Sequence, residues 1–306
     1  MRLTGSINGY LLFGSANGLS PTTLETNRYH LLKMVNILGD KLLRELSPDD
    51  ITEFFVEIRS RDYSESTICR IWSALRAFFN WVEAELELAS PMQHIAMPRF
   101  VSPEVKPLTE DDVVGLLKAC KYSSPSIRGS RLPFRMHRPT AARDTAILLT
   151  LLDTGLRVSE FCRLQAGDLN LETGELLVRP YRNSRKSRSR TVYLGCTARK
   201  AIWNYLRFRE GRDALFLTTD ERPLQRRAVH QLVSRLGKRA GIAGVHPHRF
   251  RHTFAIQFLR NGGDVFTLQR IIGHSTLEMV KKYLALADAD AAAAHKRASP
   301  ADRWRL

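Results

Sequence analysis

Hydrophobic residues recur at helical spacing along the first part of the chain. Three helices are predicted between Ser20 and Glu87, and each begins at a serine whose hydroxyl can cap the first turn. Ser20 and Ser47 are followed by proline, which is favoured at the first position of a helix, and Ser64 opens the third helix. The pattern therefore predicts an all-α first unit, and we expect no separate domain before its first helix.

A proline-rich stretch divides the chain. The four prolines between residues 90 and 107 would interrupt any helix there. We place a linker at 101–107, between a helical domain at 1–100 and a second domain at 108–306 that ends in a C-terminal tail. In the second domain the helical pattern resumes after Thr109, at a sequence with the character of a capping box. Further helices are predicted at about 146–152, 198–209, 225–240, 252–261, 264–272 and 276–287.

One segment of the second domain has the pattern of a β-hairpin. Glu175–Val178 and Thr191–Leu194 bracket a stretch that is rich in arginine and contains no acid. We predict two antiparallel strands joined by a basic tip. Residues 121–142 also lack acids and are interrupted by prolines, so we expect a basic loop without packed structure there. The predicted fold class is mainly α, with a small hairpin in the second domain.

The net charge limits the classes of function. Lysine and arginine number 47 against 31 aspartates and glutamates, which gives a formal charge of +16. This excess argues against small-molecule metabolism and points to a polyanionic partner, either a nucleic acid or a membrane surface. No run of about 18 apolar residues is present, so no membrane-spanning helix is predicted, and the N-terminus lacks the pattern of a signal peptide.

The four cysteines fit a reducing compartment. Cys69, Cys120, Cys162 and Cys196 include no pair at the C-x-x-C spacing of zinc and redox motifs. Three of them lie beside apolar residues in helical patterns, which is typical of small buried side chains. We expect a cytoplasmic protein that binds no metal.

Four separate pieces of the second domain carry residues suited to phosphate chemistry. They are Thr154–Glu160 (TGLRVSE), Lys186 in the hairpin, His248–Ala255 (HRFRHTFA), and Gly273-His274 followed nine residues later by Tyr283. Guanidinium groups bind phosphate oxygens through two parallel hydrogen bonds and stay charged at any usable pH. Each piece alone has an ordinary explanation, since Tyr283 fits a packed aromatic and Arg157 with Glu160 fits a surface pair. Their joint occurrence in one order favours a site.

The set and order of these pieces resemble the tyrosine recombinase (phage integrase) family, and within it the simple two-domain, Xer-like type. Phe250 stands where the family usually has leucine. The resemblance implies a site-specific DNA recombinase that cleaves and rejoins DNA through a 3′-phosphotyrosine, in integration, excision or resolution of DNA. It also implies a helical core DNA-binding (SAM-like) domain at 1–100 and a catalytic domain at 108–306.

The resemblance further implies the partners of the protein. These are duplex DNA with inverted-repeat core sites and other copies of the chain, which would form a tetramer on two duplexes. No cofactor is implied, because the phosphotyrosine conserves the energy of the broken bond. With no arm-binding domain expected, a Xer-like, resolvase-like or mobile-element recombinase is favoured over a large phage integrase.

The resemblance also places roles on individual residues. Arg157 and Arg251 would stabilise the charge of the pentacoordinate phosphate, and Tyr283 would attack the phosphorus atom. Lys186 would protonate the departing 5′ oxygen, and His248 would assist deprotonation of the tyrosine.

The remaining roles concern support of the site. His274 would hydrogen-bond a non-bridging oxygen, Glu160 would orient the site from the helix face of Arg157, and His252 would be structural. Two rivals stay open. Ungapped alignment of the hairpin places the family lysine at Arg185, one residue before Lys186, and His246 competes with His248.

The basic residues of the hairpin and loop are expected to bind DNA phosphates. They are Arg179, Arg182, Arg185, Arg188 and Arg190 in the hairpin, and Arg128, Arg131 and Arg135 in the loop.

Two other functions fit part of the sequence. A type IB topoisomerase would use the same chemistry without pairing two duplexes, but the first domain resembles that of recombinases. A non-catalytic DNA-binding regulator would explain the charge but not the tyrosine with its arginines and histidines. The tail at 288–306 contains Trp304, and a tryptophan on a polar tail favours an apolar pocket. The resemblance implies that the tail docks on a neighbouring copy of the chain, and a frayed or self-packed terminus is the alternative.

Overall fold

The structure, a computed structural model, describes residues 1–100, 106–124, 134–180, 189–207, 209, 213–273, 277, 280–281, 283–284, 295 and 299–304. The chain forms two compact units, Met1–Pro103 and Glu104–Leu306. In the described part of the chain, no helix is both long enough and apolar enough to cross a membrane.

The first unit is built from helices. They are α1 (Leu3–Ala16), α2 (Pro21–Leu38), α3 (Pro48–Ser60) and α4 (Glu65–Leu86), with a 3₁₀ turn at Leu43–Glu45. The three predicted helices are confirmed as α2, α3 and α4. The hydroxyls of Ser20, Ser47 and Ser64 each accept a hydrogen bond from the backbone N–H three residues later, and Ser47 with Asp50 completes a capping box.

Helix α1 is not among the predicted helices, because three glycines interrupt its pattern and lower its helix propensity. The structure shows what two of these glycines do. A Cβ on Gly14 would lie 2.9 Å from Leu24, and one on Gly9 would lie 3.2 Å from Trp81. The glycines therefore let α1 pack closely on α2 and α4, which buries Leu3 and Ile7.

The second unit is mainly helical with one two-stranded sheet. Its elements are α5 (Glu110–Lys121), α6 (Ala141–Thr154), α7 (Val158–Phe161), β1 (Glu175–Val178), β2 (Arg190–Tyr193), α8 (Cys196–Leu206), α9 (Arg226–Ala240), α10 (Pro247–Arg260), α11 (Val265–Ile272) and α12 (Pro300–Trp304). Thr109 completes the expected capping box with Asp112. The mainly α fold class with a small hairpin is confirmed.

The predicted antiparallel hairpin is present, with Glu175 opposite Tyr193 and Val178 opposite Arg190, and its second strand begins one residue earlier than predicted. Its tip, residues 181–188, lies outside the described residues. Of the helix predicted at 276–287, only 277, 280–281 and 283–284 are described, and the last two pairs are helical.

The expectation of an unpacked loop at 121–142 is wrong at both ends. Tyr122 pairs with His137 in an isolated bridge, and the Arg138 side chain forms a 2.7 Å ion pair with Asp144. Asp144 is fully buried, so it needs such a cation. Residues 141 and 142 already belong to α6, which begins earlier than predicted.

Helix α6 lies at the centre of the second unit and contacts α5, α8 and α10. Its residues Ala146, Ile147 and Leu151 are buried in the core. Helix α10 begins at Pro247, five residues before the predicted start, because the imidazole of His246 accepts a hydrogen bond from the backbone N–H of Arg249 and caps the helix. The C-terminal end of α6 and the first turns of α10 position the residues described next.

Candidate active site

The turn after α6 places Arg157. Gly155 ends the helix at φ +57°, a left-handed conformation that favours glycine. A Cβ at this position would lie 2.4 Å from the ring of Phe254 on α10, so the turn and that helix approach closely only because no side chain intervenes. Arg157 is the N-cap residue of α7. The Glu160 carboxylate accepts hydrogen bonds from the Arg157 backbone N–H at 3.0 Å and from its guanidinium at 3.3 Å.

Arg251 on α10 connects this turn to the end of α11. Its guanidinium donates to the carbonyl of Gly155 and to the carbonyl of Ile272, both at 2.7 Å. The side chain is buried, and burial together with the positive charge of Arg157 lowers the pKa of Arg251 to about 10. The group therefore remains a cation at neutral pH.

Tyr283 lies against α10, and its side chain is only 1% exposed. It packs among apolar residues of α10 and α11 together with Val280. Its hydroxyl lies 2.8 Å from Nδ1 of His252. Burial raises the pKa of Tyr283, and the positive charges of Arg251 and Arg157 act in the opposite direction. The two arginines therefore act electrostatically on this hydroxyl.

The histidines of α10 differ in what they contact. His252, expected to be structural, is the one that contacts the tyrosine hydroxyl. His248 is exposed at the start of the helix, and partial desolvation and the charge of Arg251 lower its pKa. A lowered pKa keeps the imidazole neutral at pH 7, in the form that accepts a proton. His246, the rival, is already used as the helix cap.

The hairpin arginines that the structure describes pair with acids. Arg179 forms a 2.6 Å ion pair with Asp168 while keeping its side chain half exposed. Arg190 was expected on a DNA-binding surface, but its side chain is 12% exposed and its guanidinium bonds both oxygens of Glu160, at 3.0 and 2.9 Å. The alternation of the strand could have predicted this burial. Arg190 lies on the same face of β2 as Val192, which is buried.

Other candidate residues have less description. Arg135 is described and exposed. Seven candidates lie outside the described residues: Lys186, His274, Arg182, Arg185, Arg188, Arg128 and Arg131. Among the described residues, no three His, Cys, Asp or Glu side chains cluster in a way that would hold a metal ion.

The structure links predicted residues of three sequence pieces. Arg157 contacts Glu160, Arg157 and Arg251 both donate to the end of α11, and Tyr283 packs in the cluster that contains Ile272 of α11. Comparison with known proteins adds two family matches. The model described as "Phage integrase family" matches residues 106–290, and the model described as "Phage integrase, N-terminal SAM-like domain" matches residues 7–85.

Individual proteins are similar over most of the chain. The tyrosine recombinase XerC of Salmonella typhi is 29% identical, over 88% of this chain and 87% of its own. The tyrosine recombinase XerA of Thermococcus kodakarensis is 30% identical, over 87% of this chain and 85% of its own. A solved structure of a lambda integrase (75–356) dimer bound to a COC′ core site is 18% identical. It covers 91% of this chain and 97% of its own, with a TM-score of 0.72, and supports the fold.

Proposed function

The chain belongs to the phage integrase family and is a site-specific tyrosine recombinase, and from this premise we propose which of its residues perform strand cleavage. Tyr283 is the nucleophile, and Arg157 and Arg251 bind the scissile phosphate. The observation that carries this proposal is that both guanidinium groups, from two sequence pieces almost a hundred residues apart, donate to the carbonyls at the end of α11. Ile272 at that end of α11 belongs to the apolar cluster in which Tyr283 packs.

The proposed cleavage step balances without an outside reactant. The Tyr283 oxygen attacks phosphorus, the bond from phosphorus to the 5′ oxygen breaks, and the DNA 3′ end stays on the protein as a phosphotyrosine. The phenolic proton goes to His248, and Lys186 supplies a proton to the departing 5′ oxygen. Rejoining reverses these transfers. His274 donates to a non-bridging oxygen in this proposal.

The arginines suit the charge that develops during the step. The pentacoordinate phosphate carries about one negative charge more than the ground state, and a positioned, desolvated cation stabilises it far more than water does. Arg251 provides such a cation, because it is 4% exposed and still protonated at neutral pH. Arg157 is 34% exposed, so part of its guanidinium faces solvent, where a phosphate can approach.

His252 has a different role in this proposal from the one expected. Its contact with the buried hydroxyl holds Tyr283 in a resting position, among the apolar side chains of α10 and α11. The nucleophile must leave that position to reach a phosphate, because only 1% of the side chain is exposed. His252 is therefore a positioning residue for the free enzyme.

The wider proposals concern DNA and assembly. We propose that the first unit binds the core site and that the second unit is catalytic. The arginines of the hairpin and loop that the sequence predicts to bind DNA, Arg190 excepted, contact DNA phosphates. The protein forms a tetramer on two duplexes with inverted-repeat sites, and it integrates, excises or resolves DNA, as on a mobile element.

The function is tested with DNA that the protein itself selects. Bound sequences are recovered from a random duplex library, and their consensus is built into a substrate. The substrate carries a nick near the cleavage position, so that the short fragment with the free 5′ hydroxyl diffuses away after cleavage and rejoining is prevented. A covalent protein–DNA product on a denaturing gel, and exchange between two labelled duplexes, support the recombinase. Relaxation of a supercoiled plasmid without exchange would favour the topoisomerase, and binding without any adduct would favour the regulator.

The general acid is tested by changing the leaving group. A substrate with sulfur in place of the bridging 5′ oxygen releases a thiolate, which needs no proton. We expect Lys186→Ala to cleave ordinary DNA at least about 100-fold more slowly than wild type and to approach the wild-type rate on the sulfur substrate, measured as adduct formation in a single turnover. Arg185→Ala is the matched control. Rescue of Arg185→Ala in place of Lys186→Ala would move the general acid to Arg185.

The tail is tested by its effect on assembly. Trp304 at the end of α12 is 72% exposed, and a large aromatic side chain gains free energy by entering an apolar pocket. Deletion of residues 290–306 should spare binding of one copy to a half-site but weaken cooperative binding to a full site, with recombination falling more than cleavage. Gel-shift titrations of half-sites and full sites measure the binding of one copy and the cooperativity, and the adduct and exchange assays measure cleavage and recombination.

Single substitutions separate docking from bulk loss of the tail. Trp304→Ala should reduce the cooperativity, whereas Trp203→Ala, at a half-exposed tryptophan on α8, should not. Unchanged cooperativity in both the deletion and Trp304→Ala would rule out docking of the tail on a neighbouring copy.

A further inference from the structure

Arg190 on β2 is held inside the second unit by three acceptor oxygen atoms. Its Nη1 and Nη2 donate to the two oxygens of Glu160 at 3.0 and 2.9 Å, and its Nε donates to the carbonyl of Ile271 at 2.7 Å. Glu160 is itself 4% exposed. All three nitrogens of the guanidinium are therefore engaged within the protein, in the planar geometry that suits a carboxylate.

Three arginine side chains donate hydrogen bonds to the C-terminal end of α11. The carbonyls of Ile271, Ile272 and Gly273 accept hydrogen bonds from Arg190, Arg251 and Arg157, at 2.7, 2.7 and 3.1 Å. The last carbonyls of a helix have no partner within it and carry partial negative charge, so they favour cations. The two arginines proposed to bind the phosphate and Arg190 therefore donate hydrogen bonds to three consecutive carbonyls at the end of α11.

Gly273 provides a second, independent contact. It ends α11 at φ +66°, and a Cβ built on it would lie 3.0 Å from the central carbon of the Arg190 guanidinium. Any larger residue would displace that guanidinium as well as strain the backbone. The close approach shows that Arg190 lies directly against the peptide that precedes His274 in the sequence.

Glu160 is shared between Arg190 and Arg157. Its Oε1 accepts from both guanidinium groups, and its Oε2 accepts from Arg190 and from the backbone N–H of Arg157. If Arg190 were lost, the buried carboxylate would retain only Arg157 as a cationic partner among these contacts. Arg157 would then be drawn further onto Glu160, and fewer of its donors would face a phosphate.

We propose that Arg190 is a positioning residue, which acts through Glu160 and the Ile271 carbonyl to keep Arg157 available to the scissile phosphate without touching DNA. The inference rests on the proposed role of Arg157. It also explains why arginine occupies this position, because a lysine ammonium cannot bond both carboxylate oxygens and a carbonyl in one plane.

The test compares Arg190→Lys with a matched control. Arg143→Lys removes the same kind of fork, since Arg143 bonds the buried Asp144 through two nitrogens at 3.0 and 2.9 Å and the Leu217 carbonyl through the third. Arg143 lies near the opposite end of α6 from Gly155. We expect Arg190→Lys to slow adduct formation by about 10- to 100-fold, the usual effect of losing a side chain that orients an active-site group, and Arg143→Lys to slow it by less than about 3-fold.

A modified substrate and a double-mutant cycle separate positioning from general damage. A methylphosphonate at the cleavage position lacks one charged oxygen, so it depends less on arginine, and the loss in Arg190→Lys should shrink on it as the loss in Arg157→Lys does. Adding Arg190→Lys to Arg157→Lys should cost less than about 3-fold on that substrate. Half-site affinity and melting temperature should match those of Arg143→Lys.

Two outcomes would overturn the inference. Equal losses on both substrates, or losses that multiply in the double mutant, would make Arg190 purely structural. A 10-fold loss of half-site affinity would return it to the DNA contacts. Neither outcome would affect the proposed function, which is tested separately by adduct formation in the wild-type protein and its loss in Tyr283→Phe.

Discussion

Tyr283→Phe is expected to abolish the covalent protein–DNA product while leaving binding to DNA within about twofold of wild type. The substitution removes the oxygen atom that attacks phosphorus in the proposed reaction, so the phosphotyrosine bond cannot form. The ring remains in its apolar cluster, so packing is retained. The lost hydrogen bond with His252 costs about 1 kcal/mol, which is too little to unfold a domain of this size.

The measurement uses a labelled nicked substrate, with adduct resolved on a denaturing gel and binding measured by gel shift. Tyr205→Phe is the matched control, because its hydroxyl also makes a hydrogen bond, accepted from the backbone N–H of Leu217 in the same unit. That variant should cleave at the wild-type rate. An adduct that persists in Tyr283→Phe would remove Tyr283 from the mechanism, and loss of cleavage in both variants would indicate general damage.

Arg251→Lys and Arg157→Lys should each slow cleavage by about 10²- to 10³-fold, as expected for loss of a positioned donor to the transition state. Lysine keeps the charge but loses the fork. At position 251 it cannot bond the carbonyls of Gly155 and Ile272 while also facing a phosphate, because its three donors diverge from one nitrogen. At position 157 it cannot bond Glu160 and the Gly273 carbonyl together with a phosphate.

Single-turnover rates of adduct formation measure these losses, with melting temperature recorded for each variant. Arg251 is buried, so its replacement should also lower stability, whereas Arg157 is one-third exposed and its replacement should lower stability less. Arg199→Lys controls for the loss of an arginine, because Arg199 on α8 donates to the carbonyls of Leu171 and Glu172 and to the sulfur of Cys196. Rates near wild type for both Arg157→Lys and Arg251→Lys would show that these arginines do not hold the phosphate.

Helices with local signals could be predicted from the sequence, and those without could not. The caps at Ser20, Ser47 and Ser64 act within four residues, so a short stretch of sequence is enough to predict where each helix begins. Helix α1 is stabilised by close packing at its glycines against α2 and α4. These contacts join residues distant along the chain, so the local sequence pattern does not predict them. The start of α10 was placed too late because a histidine cap is an unusual one.

The candidate site also contains residues whose placement could be predicted from the sequence and residues whose placement could not. Arg157, Arg251 and Tyr283 belong to motifs with fixed spacing, so their grouping follows from the resemblance. Arg190 was assigned to DNA because the hairpin is uniformly basic, and charge along a sequence does not distinguish a side chain that faces solvent from one that faces a buried carboxylate. The contact of His252 with the tyrosine depends on how α10 packs against the segment around Tyr283, which spacing does not reveal.

The burial of Tyr283 has a consequence for how the enzyme discriminates among DNA sequences. In the proposed reaction the Tyr283 hydroxyl must meet a phosphate, and no phosphate oxygen can approach it while the side chain stays 1% exposed. Release of the tyrosine then has a free-energy cost that must be met by favourable contacts elsewhere. Those contacts are the ones made with DNA. A sequence that fits well supplies the energy, whereas one that fits poorly is held but left intact. Selectivity in cutting therefore exceeds selectivity in binding, and a genome can be searched through many weak encounters without being nicked at each of them.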